Sequence, residues 1–169
     1  MKSTIQDKAK LVNSVFSEVY NKYDLMNDVM SLGIHRIWKD KFIDWMNPSP
    51  SSSLIDVASG TGDIAKKFSL RNKNLSMITC VEPNEDMFKK GKSNLVNFKN
   101  IKWIMSRAES LPVEDNMYDF YTISYGIRNV SDINKALKEA YRVLKPGGRF
   151  MCLESVSYTH LTLPTNREV

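Results

Sequence analysis

The residues best suited to chemistry in this 169-residue sequence surround a glycine turn that follows a short apolar run. The run covers residues 54–58, includes the carboxylate of Asp56, and leads into Ser59, Gly60, Thr61 and Gly62. A glycine has no Cβ, so it lets the chain turn sharply and lets a ligand approach the backbone closely. The turn therefore predicts a ligand at residues 59–62. A tight strand-to-helix turn that binds nothing is the alternative.

A second carboxylate, Glu82, follows the next apolar run at residues 77–81. It can accept hydrogen bonds from both hydroxyls of a ribose, and charge-assisted bonds of this kind contribute about 1.5–3 kcal/mol each. Together with the turn, Glu82 predicts a nucleoside ligand. Residues 60–65 also satisfy the dinucleotide pattern G-x-G-x-x-A, so an NAD-dependent oxidoreductase is an alternative. Asp56 counts against it, because the first strand of a dinucleotide fold usually carries an apolar residue there.

Short apolar runs alternate with helix-like segments through the rest of the chain. The candidate strands cover residues 54–58, 77–81, 102–105, 118–124 and 149–153, and the predicted helices cover 63–70, 84–94 and 133–144, with Asn84 as a cap. This alternation predicts an α/β fold, in which a parallel sheet carries helices on both faces. Its ligand crevice lies at the carboxyl ends of the strands.

The first 47 residues have helical periodicity and predict an N-terminal helical cap. Within residues 34–47 the apolar stripe is predicted to contain Ile34, Ile37, Trp38, Phe42 and Trp45. A polar connector at residues 48–53 separates this cap from a ligand-binding domain over residues 53–155. The helical extension is a further argument against a dinucleotide fold.

Composition excludes several classes of protein. Hydrophobic residues make up 42% of the chain, which suits a globular domain, and no run is long enough to predict a membrane span. The net charge is +5, but the basic residues are scattered, so we expect no nucleic-acid partner. Weak attraction to an anionic membrane surface remains a prediction. Cys80 and Cys152 lie in apolar runs, which predicts buried free thiols and no metal site.

Several segments resemble the class I S-adenosylmethionine methyltransferases. Residues 56–63 resemble their first motif, Glu82 resembles their ribose acid, and residues 107–112 and 144–148 resemble the segments after strand three and before strand five. The resemblance implies a Rossmann-like fold, of which five of seven strands are present. It also implies S-adenosyl-L-methionine as the cofactor.

Residues 23–39 and 122–130 resemble, more narrowly, the ubiquinone/menaquinone biosynthesis C-methyltransferases, the UbiE/COQ5 family. That resemblance implies methylation of a ring carbon of a polyprenyl benzoquinol or demethylmenaquinol; another small acceptor is the alternative. It implies that Arg128 and Asn129 face the substrate as catalytic residues. Their alternative role is at a helix entry, with Asn129 or Ser131 as the cap. Tyr23 and Asp24 are weaker candidates to close the pocket.

The family's cofactor positions fall on Thr61, Glu82 and Ser124, and on the pair Arg107 and Ala108. Two residues in the cofactor-binding segments, Arg107 and Ser59, depart from the family's usual residues. Arg107 stands where Asn is frequent, although its guanidinium can still reach the adenine edge or stack on the ring. Ser59 replaces a frequent glycine, which slightly stiffens the turn. Neither departure argues against cofactor binding.

The same resemblance implies a polyprenylated quinol as partner, with peripheral membrane contact, and it allows a homodimer or a complex of biosynthetic enzymes. The implied location is the cytoplasm or inner-membrane surface of a bacterium, or the matrix side of the mitochondrial membrane in a eukaryote. The resemblance stops near Glu154, and residues 156–169 are predicted to be a non-native tail. The chain would then hold the cofactor half of the site and only part of the substrate wall.

Overall fold

A five-stranded parallel sheet forms the centre of the computed structural model, which describes residues 34–73 and 75–154. Its strands are β1 (Leu54–Val57), β2 (Ile78–Val81), β3 (Ile101–Ile104), β4 (Tyr118–Ser124) and β5 (Leu144–Leu153). In space they lie in the order β3-β2-β1-β4-β5. The predicted Rossmann-like α/β fold with a parallel sheet is confirmed.

Helices cover both faces of this sheet. They are α1 (Ile34–Met46), α2 (Asp63–Arg71), α3 (Glu85–Asn94) and α4 (Ile133–Val143), and a short 3₁₀ helix covers Ile127–Asn129. Buried side chains of α1 and α2 join one core cluster with Leu54 and Phe120, whereas those of α4 join a second cluster with Ile55 and Tyr121. Because side chains alternate along a strand, neighbouring strand residues enter opposite clusters. Even-numbered positions of β1, and of β4 from Phe120 onward, therefore face α1 and α2, whereas Tyr118, before the irregularity in β4, joins the second cluster.

The predicted apolar stripe of α1 is confirmed for Phe42 and wrong for Ile37, Trp38 and Trp45. Ile37 and Trp45 are 59% and 77% exposed, whereas the buried apolar side chains are Phe42, Ile43 and Met46. The helix carries apolar residues on more than one side, so periodicity alone does not select the buried face. Contact with α2 and the sheet selects it, and Arg149 of β5 donates a hydrogen bond to the Met46 carbonyl at the end of the helix.

The predicted turn at residues 145–148 lies within β5 rather than before it. Leu144 already pairs with Tyr118, and regular pairing resumes between Phe120 and Arg149 after an irregularity. The Lys145 ammonium donates to Asp119 Oδ2 at 2.9 Å, which ties the bulged segment to β4. The bulge therefore belongs to the sheet. Residues 145–148 have a composition typical of a turn because the backbone of the strand is irregular there.

The two cysteines differ in environment. Cys80 is buried in β2 as predicted, whereas Cys152 is exposed in β5, so its predicted burial is wrong. Among the described strands β5 pairs with β4 alone, so one of its sides lacks a neighbouring strand. Both thiols are free. Across residues 34–73 and 75–154, none of the helices combines the length and apolar character that crossing a bilayer requires.

The division into a cap at residues 1–47, a domain at 53–155 and a tail at 156–169 stays a prediction. Most of the cap and all of the tail lie outside the described residues, as do Tyr23 and Asp24. Of the cap, the structure describes α1, which contributes Phe42, Ile43 and Met46 to the core of the sheet.

Candidate functional site

Three polar side chains lie at the carboxyl ends of adjacent strands. Asp56 is in β1, Glu82 directly follows β2, and Ser124 ends β4. The register pairs Asp56 with Cys80 of β2 and with Thr122 of β4. Glu82 and Ser124 each lie two residues beyond these partners of Asp56, so the three polar side chains point to the same side of the sheet. They therefore lie on the sheet face that α1 and α2 cover, at the end where parallel α/β folds bind ligands.

The turn after β1 has the backbone freedom that its glycines predict. Gly60 and Gly62 have φ values of +55° and +86°, in the left-handed region that side chains rarely adopt. A Cβ on Gly62 would lie 2.6 Å from Leu95, whereas a Cβ on Gly60 would meet nothing within 4 Å. Gly62 thus serves packing, and Gly60 leaves open space beside the backbone, where a ligand can approach. Thr61 lies between them, half-buried.

Glu82 is fixed against this turn. Its Oε2 accepts a hydrogen bond from the Gly60 N–H at 2.8 Å, and its Oε1 accepts one from the Asn84 N–H at 2.9 Å. Burial raises the pKa of Glu82, and these two backbone bonds oppose that rise by stabilising the charged form. The carboxylate thus joins the two loops that follow β1 and β2. Each oxygen keeps lone-pair capacity for a ligand hydroxyl.

Asp56 carries a buried oxygen without a protein partner. Thr122 Oγ1 donates to Asp56 Oδ1 at 2.7 Å, whereas Oδ2 has no hydrogen-bond partner in the described part of the chain. Desolvation by burial raises the pKa of Asp56 from 3.8 to about 7, although the Thr122 bond and the nearby Lys39 charge act in the opposite direction. A buried acceptor without a donor is costly, which points to a ligand that supplies one.

We expect the stability effect of Asp56→Asn to depend on pH. The folded protein binds this proton more tightly than the unfolded chain, so wild-type stability falls as pH rises from about 4 through 7. The uncharged amide removes that loss. The variant should therefore gain stability relative to wild type as pH rises, by on the order of 3 kcal/mol between pH 4 and pH 8. Urea unfolding across this pH range measures the gain.

Asp119→Asn is the matched control. Burial alone would raise the pKa of Asp119, but hydrogen bonds from Ser53 and Lys145 outweigh it and lower the pKa. That carboxylate adds stability above about pH 4 which is lost as pH falls, so its amide variant should lose most at neutral pH. Parallel pH trends in the two variants would contradict the assigned role of Asp56.

Ser124 also presents an unsatisfied group. Its buried Oγ has no hydrogen-bond partner in the described part of the chain, although it stands two residues beyond Thr122 on the same sheet face. Asp56 Oδ2 and Ser124 Oγ thus both lack protein partners at the ends of neighbouring strands. A ligand that spans β1 and β4 would satisfy both.

The segment after β3 is tied to the segment before α4. Arg107 Nη2 donates to Ser131 Oγ at 2.6 Å, and Glu109 Oε1 accepts from the backbone N–H of Ser131 at 2.8 Å. Ala108 between them is buried. The structure therefore directs the Arg107 guanidinium towards Ser131. The sequence interpretation assigned no role to Glu109, although an acid next to the predicted cofactor pair was a usable signal.

Arg128 and Asn129 lie in the 3₁₀ helix after β4, and both are exposed. Arg128 pairs with Glu154 at 3.4 Å, beyond the end of β5. The alternative that Asn129 or Ser131 caps α4 is wrong, because the Asp132 side chain accepts the Lys135 N–H and caps that helix.

The loops that follow β1 and β4 are in contact. A Cβ on Gly126 would lie 2.6 Å from the Ala58 Cβ, so only a glycine allows this approach. Ala58 itself has a φ of +54°, and Tyr125 has a φ of +56°. Both strands are thus followed by a residue in the left-handed conformation, and the loops meet where Ala58 lies against Gly126.

Ion pairs join α1 to α2. Lys39 pairs with Asp63 at 2.7 Å, at the end of the interface nearest the glycine turn. Two other pairs, Lys67 with Asp40 and Arg71 with Asp44, lie further along the helices and are more exposed. The sequence interpretation did not single out Lys39. Its spacing from Phe42, Ile43 and Met46, at i, i+3, i+4 and i+7, was the available signal.

Relatives with curated names match most of this chain. A protein from Rickettsia bellii (strain OSU 85-389), named ubiquinone/menaquinone biosynthesis C-methyltransferase UbiE, is 55% identical over 155 residues, covering 88% of this chain. A protein of the same name from Rickettsia prowazekii (strain Madrid E) is 54% identical over 154 residues, covering 87% of this chain. The chain spans 62% and 61% of the lengths of these two relatives.

Solved structures agree on the fold. The YcgJ protein of Bacillus subtilis is 28% identical with a TM-score of 0.62, over 66% of this chain and 47% of that one. A SAM-dependent methyltransferase from Thermotoga maritima is 26% identical with a TM-score of 0.63, over 82% of this chain and 59% of that one.

The sequence pattern of one protein family matches nearly the whole chain, over residues 2–167, and so extends into the segment predicted to be non-native. That family is described as the ubiE/COQ5 methyltransferase family. The match and the identity of more than half to the Rickettsia proteins support the same conclusion. This chain belongs to the ubiE/COQ5 methyltransferase family.

Proposed function

We propose that this protein transfers a methyl group from S-adenosyl-L-methionine to a ring carbon of a polyprenyl benzoquinol or demethylmenaquinol. The observation that carries the cofactor assignment is the pairing of Glu82 with the glycine turn. The names of the Rickettsia relatives support the acceptor. They also favour it over another small acceptor and over the NAD-dependent alternative.

The residues present fit this cofactor. Its methionine portion carries an ammonium, for which the unpaired Asp56 Oδ2 is a suitable acceptor. Its ribose carries two hydroxyls, which suit the remaining lone pairs of Glu82. The open space beside Gly60 admits the ligand close to the backbone, and Thr61 and Ser124 add hydroxyls on either side. Arg107 and Ala108 would border the adenine, as the family resemblance implies.

The cofactor, when bound, supplies a methyl on a sulfonium, which needs no activation by the protein. What the protein must do is hold the acceptor carbon in line with the C–S bond, at about 3–3.5 Å from the methyl. A hydroquinone carbon becomes nucleophilic when a neighbouring hydroxyl loses its proton. The residues assigned to this step therefore have to stabilise phenolate and accept or relay the proton.

Arg128 and Asn129 are proposed for these roles. Two observations support this proposal: the Gly126 contact with Ala58 joins the loop that carries the 3₁₀ helix to the end of β1, and both side chains are exposed and so accessible to an acceptor. The Arg128 guanidinium would stabilise the phenolate, and Asn129 would position a water that takes the proton. The ion pair between Arg128 and Glu154 holds the Arg128 side chain at the carboxyl ends of β4 and β5. Peripheral membrane contact, self-association and a complex with biosynthetic enzymes stay predictions.

The proposal predicts transfer of labelled methyl from the cofactor to a demethylated quinol. The protein should methylate demethylmenaquinol or the matching benzoquinol on carbon, and Arg128→Met should lower the rate by about a hundredfold, as loss of one transition-state donor typically does. Lys138→Met, an exposed cation on α4, is the control and should retain the wild-type rate. Chromatography of the labelled product with mass analysis locates the methyl. Label found on a different class of acceptor would contradict the quinol assignment.

A further inference from the structure

Lys39 directs its ammonium into the protein rather than into solvent. It continues the buried face of α1 that Phe42, Ile43 and Met46 form, and its side chain is 13% exposed. Long basic side chains on a helix usually keep their charged ends in water. The inward direction of Lys39 places a fixed positive charge at the carboxyl ends of the strands, next to the first turn of α2.

Two carboxyl groups interact with this charge. Asp63 accepts a hydrogen bond from Lys39 Nζ at 2.7 Å. Asp56 senses the Lys39 charge, which lowers the pKa of Asp56, and it also senses Glu82 and Asp63, which raise it. Above about pH 7, where Asp56 is ionised, Lys39 and the unpaired Asp56 Oδ2 therefore present opposite charges in one buried region. The methionine portion of the proposed cofactor carries the same two charges, an ammonium and a carboxylate on one carbon.

The Lys39 ammonium has donors to spare. An ammonium carries three N–H groups, and among the described residues only Asp63 accepts one from Lys39. Two other ion pairs between α1 and α2 already join these helices. A purely structural link at this position would not require a lysine to be nearly buried beside Asp56.

We propose that Lys39 binds the α-carboxylate of the cofactor's methionine portion, while Asp56 binds the adjacent ammonium. This inference rests on the proposed function, because it assigns one end of the same ligand. It gives α1 a direct part in cofactor binding. The bound ligand would then link α1 to the sheet.

Two ligands that differ only by the carboxylate test the inference in the wild-type protein. S-adenosylhomocysteine contains it, and S-adenosyl-3-thiopropylamine is the same molecule without it. In calorimetric titration, the second ligand should bind at least about tenfold more weakly than S-adenosylhomocysteine, as expected for loss of one charge-assisted bond. Equal affinities would overturn the inference without any variant. If the wild-type protein binds neither ligand, the proposed function itself fails.

Lys39→Met then assigns the effect to the residue. The variant should bind S-adenosylhomocysteine about tenfold more weakly, and its affinity for the decarboxylated ligand should stay within about twofold of wild type. Lys67→Met is the matched control, because it removes one positive charge and one ion pair from the same interface. It should leave both affinities unchanged. Equal weakening of both ligands by Lys39→Met, or the same loss from Lys67→Met, would show a structural role and overturn the inference.

Discussion

Replacing Glu82 with Gln should weaken binding of S-adenosylhomocysteine by at least about a hundredfold. The variant would lose the charge-assisted bonds that the carboxylate makes to both ribose hydroxyls. Each of these bonds contributes about 1.5–3 kcal/mol. The amide group would also place an NH₂ against one of the two backbone donors, the N–H of Gly60 or of Asn84. The first effect weakens the bonds to the ribose, and the second displaces the side chain that makes them. Isothermal titration with the folded variant measures the loss.

The control lies three residues further along the chain. Glu85 is exposed and pairs with Lys89, so Glu85→Gln makes the same charge change without touching the turn, and the affinity should remain that of wild type. NAD should bind neither wild type nor variant. If Glu82→Gln keeps its melting temperature and still binds with wild-type affinity, the ribose assignment is wrong.

Gly91→Ala should destabilise the protein by about 1–3 kcal/mol, as overpacking of a core does. In an ordinary helix interior the same change stabilises by roughly 1 kcal/mol. Here the added Cβ would lie 2.2 Å from the Trp103 ring and 2.9 Å from the Gly60 carbonyl oxygen. Trp103 also packs edge-on against Phe88, so its ring has little room to move. Urea unfolding measures the change in stability.

Two further variants separate this clash from helix propensity. Ser93→Ala, at an exposed position two residues later in α3, should change stability by less than about 0.5 kcal/mol. Trp103→Leu in the Gly91→Ala background should recover part of the loss, since it removes the ring that the Cβ meets. Stabilisation by Gly91→Ala alone would mean that α3 and the turn are further apart than described.

Local sequence predicted β1 and β2 well because both end at unmistakable breaks, whereas the start of β5 was misplaced by the bulge at residues 145–148. Glycines follow β1 and a proline follows Glu82, so β1 and β2 could hardly extend further. Asn84 caps α3 as predicted, through a bond that involves residues three positions apart. The cap of α4 was misassigned because Asn129, Ser131 and Asp132 all have suitable side chains. Only the path of the backbone decides among them.

The site was predictable in its strand-end carboxylate and its turn, since both follow from local pattern. The Glu82 bond to Gly60 joins residues 22 positions apart, and only strand pairing brings them together. The buried face of α1 was not predictable, because that helix has apolar residues on several sides. Lys39 therefore read as a solvated charge. Its direction depends on the contact of α1 with α2 and the sheet.

If the cofactor binds at the turn after β1 and the acceptor at the loop after β4, as proposed, the contact of Ala58 with Gly126 would couple the binding of the two ligands. Because the two loops touch at this point, a ligand that fixes one loop would restrict the other. By thermodynamic linkage, any factor by which bound cofactor tightens the acceptor equals the factor by which acceptor tightens the cofactor.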